Sequence, residues 1–271
     1  METKPRRQWH RIPKDLAITL LLWSYYTVGF VILFAPFYLA ARLFADDVSR
    51  AFQRLNARFY RGFFGLLRML VPACRWQVDD AVRGIRGSVV VANHLSYLDP
   101  ILLISFFPRH TTIAKRRLFH IPLYGRMLRL SGYIPSAARG RLADLLLACM
   151  ERMPAFLAGG GNLFVFPEGT RSRSGAVGML NTGAFKIARL CKAPIDVVYM
   201  AGTERLFRPG RFLFDTAWAG TIRVEHLARI TPAYAAPDFS LTRLMDEVRG
   251  RLDARRRQNL QSTTPALTEA S

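Results

Sequence analysis

The chain has 271 residues, 51% of them apolar, and carries 39 basic against 19 acidic side chains for a net charge of +20. That is enough apolar mass for a substantial core, so wholesale disorder is excluded, and the charge points to an anionic partner: nucleic acid, a membrane surface or a phosphorylated substrate. Cys74, Cys149 and Cys191 are isolated and odd in number, which argues against a disulfide framework and a cysteine zinc site.

From Leu16 through Ala41 no charged side chain occurs. As a helix this run is roughly 39 Å long, more than the ~30 Å of bilayer hydrocarbon, and too long for the apolar part of a signal peptide. Arg6, Arg7, Arg11 and Lys14 precede it and favour a cytoplasmic amino terminus, so a single crossing would put the remainder outside. Within Ala51 to Pro72, Arg54, Arg58 and Arg61 alternate at helical spacing with Phe52, Leu55, Phe59, Phe63 and Leu66, the pattern of an amphipathic helix drawn to anionic lipid. Helices lying in one leaflet, or a re-entrant turn at Pro36, would keep the chain on the cytoplasmic face. Residues 1–75 are therefore expected to form a membrane anchor with a hydrophobic helix over 16–41 and an amphipathic one over 51–72.

Beyond Trp76 strand-like runs occur at Ser88–Ala92, Thr111–Ala114, Asn162–Phe166, Ile195–Met200, Arg211–Phe214 and Thr221–Glu225, with helical intervals near 97–107, 139–157 and 181–191. That alternation predicts an α/β domain over 76–240. Ser240 would cap a helix with Leu241, Leu244, Met245, Val248 and Leu252 on one face, leaving Gln261–Ser271 as a disordered tail.

Two segments at the expected strand ends carry the chemistry. Asn93-His94-Leu95-Ser96-Tyr97-Leu98-Asp99-Pro100 offers an imidazole and, five positions on, a carboxylate that could fix its tautomer and leave the other ring nitrogen to accept a hydroxyl proton. Phe166-Pro167-Glu168-Gly169-Thr170-Arg171-Ser172 offers backbone N–H groups at Gly169 and Thr170 and fork-shaped donors at Arg171 and Arg173, a combination suited to phosphate. Glu168 would either hydrogen-bond a glycerol hydroxyl or hold an arginine. No side-chain nucleophile is needed if the substrate's own alcohol attacks. Among His10, His94, His110, His120 and His226, only His94 has a carboxylate at a suggestive spacing.

These two blocks resemble the first and third motifs of the lysophospholipid (1-acylglycerol-3-phosphate) acyltransferases, relatives of the glycerol-3-phosphate acyltransferases. The resemblance spans about residues 76–230 and implies a mixed sheet flanked by helices. It also implies His94 as general base, Asp99 as its partner, and Glu168, Gly169, Thr170 and Arg171 as part of the acceptor site. Lys115 resembles a phosphate-contacting lysine. Two motifs depart from the pattern: Arg139, which the resemblance implies as a further phosphate ligand, follows Gly132 by seven positions rather than six, and the fourth motif reads Pro194-Ile195-Asp196-Val197-Val198, with valine for the second proline and an added acid. No metal ligand set or bound cofactor is expected. The implied reaction takes a fatty acyl group from acyl carrier protein or coenzyme A, as a thioester co-substrate, to a lysophospholipid, most simply lysophosphatidic acid, at the cytoplasmic face of the inner membrane. A lyso-aminolipid or other lipid acceptor is the alternative. Nucleic acid as partner is disfavoured by the lack of zinc spacing, an RNP-like motif or a helix-turn-helix pattern.

Overall fold

The computed structural model describes residues 12–136, 140–172 and 176–263. Its chain order begins with α1 (Ile12–Ser24), a π-helical segment Tyr25–Phe34, α2 (Ala35–Phe44), α3 (Val48–Leu70), β1 (Arg75–Val78), α4 (Asp80–Gly84), β2 (Val89–Ala92) and α5 (Leu98–Phe106). It continues through β3 (His110–Ala114), a 3-10 turn Arg116–His120, α6 (Tyr124–Leu130), β4 (Ile134–Pro135), α7 (Arg141–Ala158) and β5 (Asn162–Val165). It ends with α8 (Gly183–Leu190), β6 (Ile195–Ala201), α9 (Thr203–Leu206), β7 (Thr221–Ile230) and α10 (Leu241–Thr263). Two compact units result: one from the chain up to Val78 with Ser96–Pro108 and Ala201–Arg223, the other from Asp79–Leu95, Arg109–Met200 and the chain from Val224.

In the first unit the apolar run is helical from Ile12 to Phe44, 33 residues that are long and apolar enough to cross a membrane. Pro36 does not reverse it. The helix widens ahead of the proline, Ala35 N–H bonding to the Phe30 carbonyl five residues back, and Pro36 then enters in the first turn of α2, where its missing N–H breaks no bond. The reversal comes at Ala45–Asp47, where the Asp47 carboxylate caps α3 by accepting Arg50 N–H at 2.8 Å. α3 then returns antiparallel: Tyr38 meets Phe52 and Asn56, Phe30 and Phe34 meet Phe59, and Tyr25 meets Phe59 and Phe63.

The apolar stripe of α3 is thus covered by protein, including α5, instead of facing lipid as its sequence suggests. Phe52, Phe59, Phe63, Phe64 and Leu67 are all buried, Arg50, Arg54 and Arg58 are exposed, and Arg61 donates to the Ser105 carbonyl of α5 at 2.8 Å. The uncovered apolar surface belongs to the first helix, where Val31, Ile32, Phe37 and Phe44 are 63, 65, 60 and 82% exposed. Only 17% of its most apolar window is buried, so it is not a core helix, and its exposed apolar face is of the kind that suits a membrane. Its first turns are tied to protein: Asp15 accepts both the N–H and hydroxyl of Thr216, and Thr19 Oγ1 accepts Phe214 N–H at 3.0 Å.

The seven strands run in the order β1-β7-β6-β2-β5-β3-β4. In the second unit β6-β2-β5-β3-β4 are parallel, with Val90 opposite Phe164 and Asp196, Thr112 opposite Phe164, and Ile113 opposite Ile134. β7 runs back along β6, since its start at Thr221 and Ile222 lies against Gly202 after the end of β6 while His226 farther along meets Asp196 near the start of β6, so the sheet is mixed. Val89, Val90 and Val91 are fully buried, as a continuous apolar strand in a helix-covered parallel sheet must be.

Arg211–Phe214 is not a strand. Its amides bond outside any strand ladder, Arg211 N–H to the nearby Arg208 carbonyl and Phe214 N–H to Thr19 on the first helix, after Pro209 and the positive-φ Gly210 bend the chain. β1 and β4, each short, carry no sequence signal of their own. Ser240 Oγ does cap α10, by accepting Arg243 N–H. Gln261–Thr263, expected in the tail, are helical; the remainder of that tail lies outside the described residues.

Candidate active site

A parallel sheet brings the carboxyl ends of its strands to one edge. In the second unit the neighbours β2, β5, β3 and β4 end, in that order, at His94, at the Phe166–Arg171 segment, at Lys115 and at Ser136. With strands ~4.8 Å apart, β2 and β3 lie about 10 Å from one another, so sequence segments seventy residues apart become adjacent.

The end of β2 is locked by Asn93. Its side-chain amide donates to the Met200 carbonyl at 2.8 Å while its oxygen accepts Met200 N–H at 2.7 Å, both buried. His94 follows, half-buried, with its imidazole stacked on Phe166 at a centroid distance of 4.4 Å and 28° between planes. Its backbone is gripped by the third-motif loop: His94 N–H donates to Glu168 Oε1 at 3.1 Å, and the His94 carbonyl accepts Ser172 N–H at 2.8 Å.

Glu168 bridges two loops, since its Oε2 accepts Gly178 N–H at 3.0 Å. Gly169 adopts φ +68, a conformation in which any other residue is strained, and a Cβ there would crowd Asn181 Nδ2 at 3.1 Å. Asn181 in turn holds the loop by donating twice to the Pro167 carbonyl, from its backbone and its side chain, each at 2.8 Å. Gly169 and Thr170 are exposed and Arg171 half-buried. Lys115 is exposed immediately after β3, with its carbonyl accepting Leu118 N–H at 2.9 Å. Arg139 and Arg173 lie outside the described residues.

Asp99 belongs to the first unit, in the first turn of α5. It is fully buried; Oδ2 accepts Ser96 N–H at 2.7 Å and Oδ1 accepts the Thr203 hydroxyl at 2.5 Å. Beside it Glu204 has Oε2 buried with no hydrogen-bond partner among the described residues. Burial, and secondarily the charge of Asp99, push the Glu204 carboxyl above its usual range. Sequence reasoning missed Thr203 and Glu204, which reach Asp99 from about a hundred residues away, and missed Asn93, Phe166 and Asn181 as supports.

It also missed a second histidine–carboxylate pair. His226 Nε2 contacts Asp196 Oδ1 at 2.7 Å and Arg229 Nη1 contacts Oδ2 at 3.0 Å, which satisfies a carboxylate only 1% exposed. The acid added to the fourth motif is thereby a β6–β7 tie at the amino end of β6, away from the strand-end edge. His110 is fully buried against the Tyr133 hydroxyl at 2.7 Å, in the place of a structural histidine.

Comparison with known proteins follows the same outline. Residues 75–201 match the family model described as Acyltransferase. A chloroplastic 1-acyl-sn-glycerol-3-phosphate acyltransferase of Brassica napus is 32% identical over 122 residues, 45% of this chain and 35% of that protein. A 1-acyl-sn-glycerol-3-phosphate acyltransferase of Saccharomyces cerevisiae is 34% identical over 160 residues, 57% of this chain and 52% of that one. The chain thus spans between about a third and a half of the length of these relatives. The crystal structure of the 1-acyl-sn-glycerophosphate (LPA) acyltransferase PlsC from Thermotoga maritima superposes with a TM-score of 0.71 at 22% identity, over 96% of this chain and 99% of that one. At that identity it establishes the shared fold.

Proposed function

We propose that this chain, which the Acyltransferase family model matches over residues 75–201, is a member of that family and moves a fatty acyl group from a thioester to the free hydroxyl of 1-acylglycerol 3-phosphate, giving phosphatidic acid. The observation that carries the reading is the double backbone grip between His94 and the Glu168–Ser172 loop, which binds a base and an anion cradle into one strand-end site.

In this reading the acceptor hydroxyl gives its proton to His94 as its oxygen attacks the thioester carbonyl; the carbonyl reforms as the thiolate leaves, and the thiolate takes the proton back. Asp99 orients the imidazole. The exposed backbone of Gly169 and Thr170, with Arg171, Lys115 and Arg139, receives the phosphate. Glu168 acts by holding the loop against the backbone of His94. The co-substrate is acyl carrier protein or coenzyme A thioester, and the site works at the cytoplasmic face, where such thioesters reside.

The test is a panel. Purified protein is offered both kinds of thioester with lysophosphatidic acid, lyso-aminolipids and neutral lysolipids, and products are read by mass spectrometry. Phosphatidic acid as the main product is expected; efficient turnover of lysolipids without a phosphate monoester would overturn the acceptor assignment. Arg171→Ala should weaken lysophosphatidic acid binding by about 1.5–3 kcal/mol, the range for a charged hydrogen bond. Impermeant thiol labelling in intact cells, at engineered cysteines near Thr3 and Ser262, should leave both protected. Labelling of the site near Ser262 would put the active site outside the cytoplasm.

A further inference from the structure

The segment after β3 has a feature that acyl transfer does not call on. Between Asp99 and Asp144 the chain has no acidic residue, and Lys115, Arg116, Arg117, Arg126 and Arg129 are all exposed. In the midst of these cations lies His120-Ile121-Pro122-Leu123-Tyr124, where Leu123 is 80% and Ile121 46% exposed. A single exposed leucine is ordinary. This one is held out by a strained backbone: Leu123 has φ 60 and ψ −56, and Tyr124 N–H donates to the Pro122 carbonyl at 2.6 Å. That is a three-residue γ-turn of the rare hand, which a branched side chain adopts only where its surroundings enforce it.

The surroundings do enforce it. Phe119, at 1% exposure, anchors the base of the loop in the core. Gly125 packs so tightly under it that a Cβ would lie 2.3 Å from the Phe119 carbonyl oxygen. Arg129 donates to that carbonyl at 2.7 Å, and Gly125 N–H donates to the Ile121 carbonyl at 2.7 Å. The turn is a built apolar tip that exposes Ile121 and Leu123, with Arg129 bonded at its base and the exposed Arg116, Arg117 and Arg126 within five residues of it in the chain.

We propose that this tip is a second membrane contact, independent of the amino-terminal helices: Ile121 and Leu123 enter the headgroup–acyl boundary of an anionic leaflet while Arg116, Arg117 and Arg126 bind lipid phosphates around them. An apolar apex in a basic collar is the composition that partitions to such interfaces, because the apex gains from leaving water and the collar from the negative surface potential. Preorganisation removes the ordering cost of insertion.

The experiment uses the full chain in phosphatidylcholine vesicles with and without phosphatidylglycerol. An environment-sensitive fluorescent amino acid is incorporated at position 123 or, as control, at the exposed Asp80. Lipids carrying a spin label near the head of the acyl chain should quench the probe at 123 several-fold more than the probe at 80, and most strongly with phosphatidylglycerol present. Combining Arg116→Gln, Arg117→Gln and Arg126→Gln should reduce that quenching. Quenching at 123 no greater than at 80, or unaffected by loss of the three arginines, overturns the proposal. So does an emission change that requires acyl carrier protein and not lipid, which would assign the tip to an acidic protein. The readout needs no turnover, so it succeeds or fails separately from the acyl-transfer reading.

Discussion

In the helical hairpin, Phe59 sits among the rings of Tyr25, Tyr26, Phe30, Phe34 and Tyr60; at the strand-end edge, Asn93, Glu168 and Asn181 hold the loops by hydrogen bonds to backbone. The first mode is non-directional and tolerates an irregular partner such as a π-helical segment, since rings pack wherever area can be buried. The second is directional, and it fixes the His94 backbone, from which the imidazole projects, to within the geometry of a hydrogen bond. Apolar packing sets how firmly this protein stays folded, and polar clamps set what its edge can do.

Substitutions can break that division. His94→Ala should cost about 10²–10⁴ in acyl-transfer rate, the usual worth of a general base, while thermal unfolding stays unmoved; near-normal turnover in the folded variant would end the mechanism. Phe59→Ala should do the reverse, destabilising the protein by about 3–5 kcal/mol by denaturant titration in detergent while the folded fraction turns over normally. A large rate loss in that fraction would show that hairpin and edge are not separable.

Asn93→Ala sharpens the contrast because it touches both properties. Each of the two orphaned Met200 backbone groups should cost about 1–3 kcal/mol, and the rate should fall because His94 follows directly. An unchanged melting temperature would mean that water replaces the clamp.

The smallest effect concerns Glu204. Its folded pKa is raised by burial and by Asp99, so above the usual value of 4.5 the folded state keeps a proton that the unfolded state has released. Its contribution to stability therefore declines as pH rises from that value through the folded pKa. Glu204→Gln should be close to neutral at pH 4 and stabilising at pH 8, read as the difference in thermal midpoint. A difference that does not vary with pH would mean that Glu204 is ionised as in water.

Much of the second unit was legible because its signals are local. The apolar run Ser88–Ala92 reads as a strand and is one, over Val89–Ala92, and the His94 and Glu168–Arg171 blocks follow strand-like runs whatever surrounds them. The two-residue β4 and the alternating β1 were not legible, because short edge strands exist through the neighbour they pair with. The amphipathic stripe of α3 was read correctly and its partner was not. Periodicity records that a face is apolar, and the same stripe serves against lipid or against protein.

The sequence by itself determined the long apolar helical run, the order of strands and helices through most of the sheet unit, and the residue types that can transfer a proton and receive a phosphate. Tertiary structure alone decided that the chain reverses at Ala45–Asp47 and not at Pro36, that Glu168 spends its oxygens on the N–H groups of His94 and Gly178, that Thr203 reaches Asp99 from 104 residues away, and that Asp196 pairs with His226 and Arg229. The physical reason is range. Propensity and hydrophobic period act over a few neighbouring residues, whereas a buried carboxylate must find its donors wherever the fold brings them, and no local pattern records where that is.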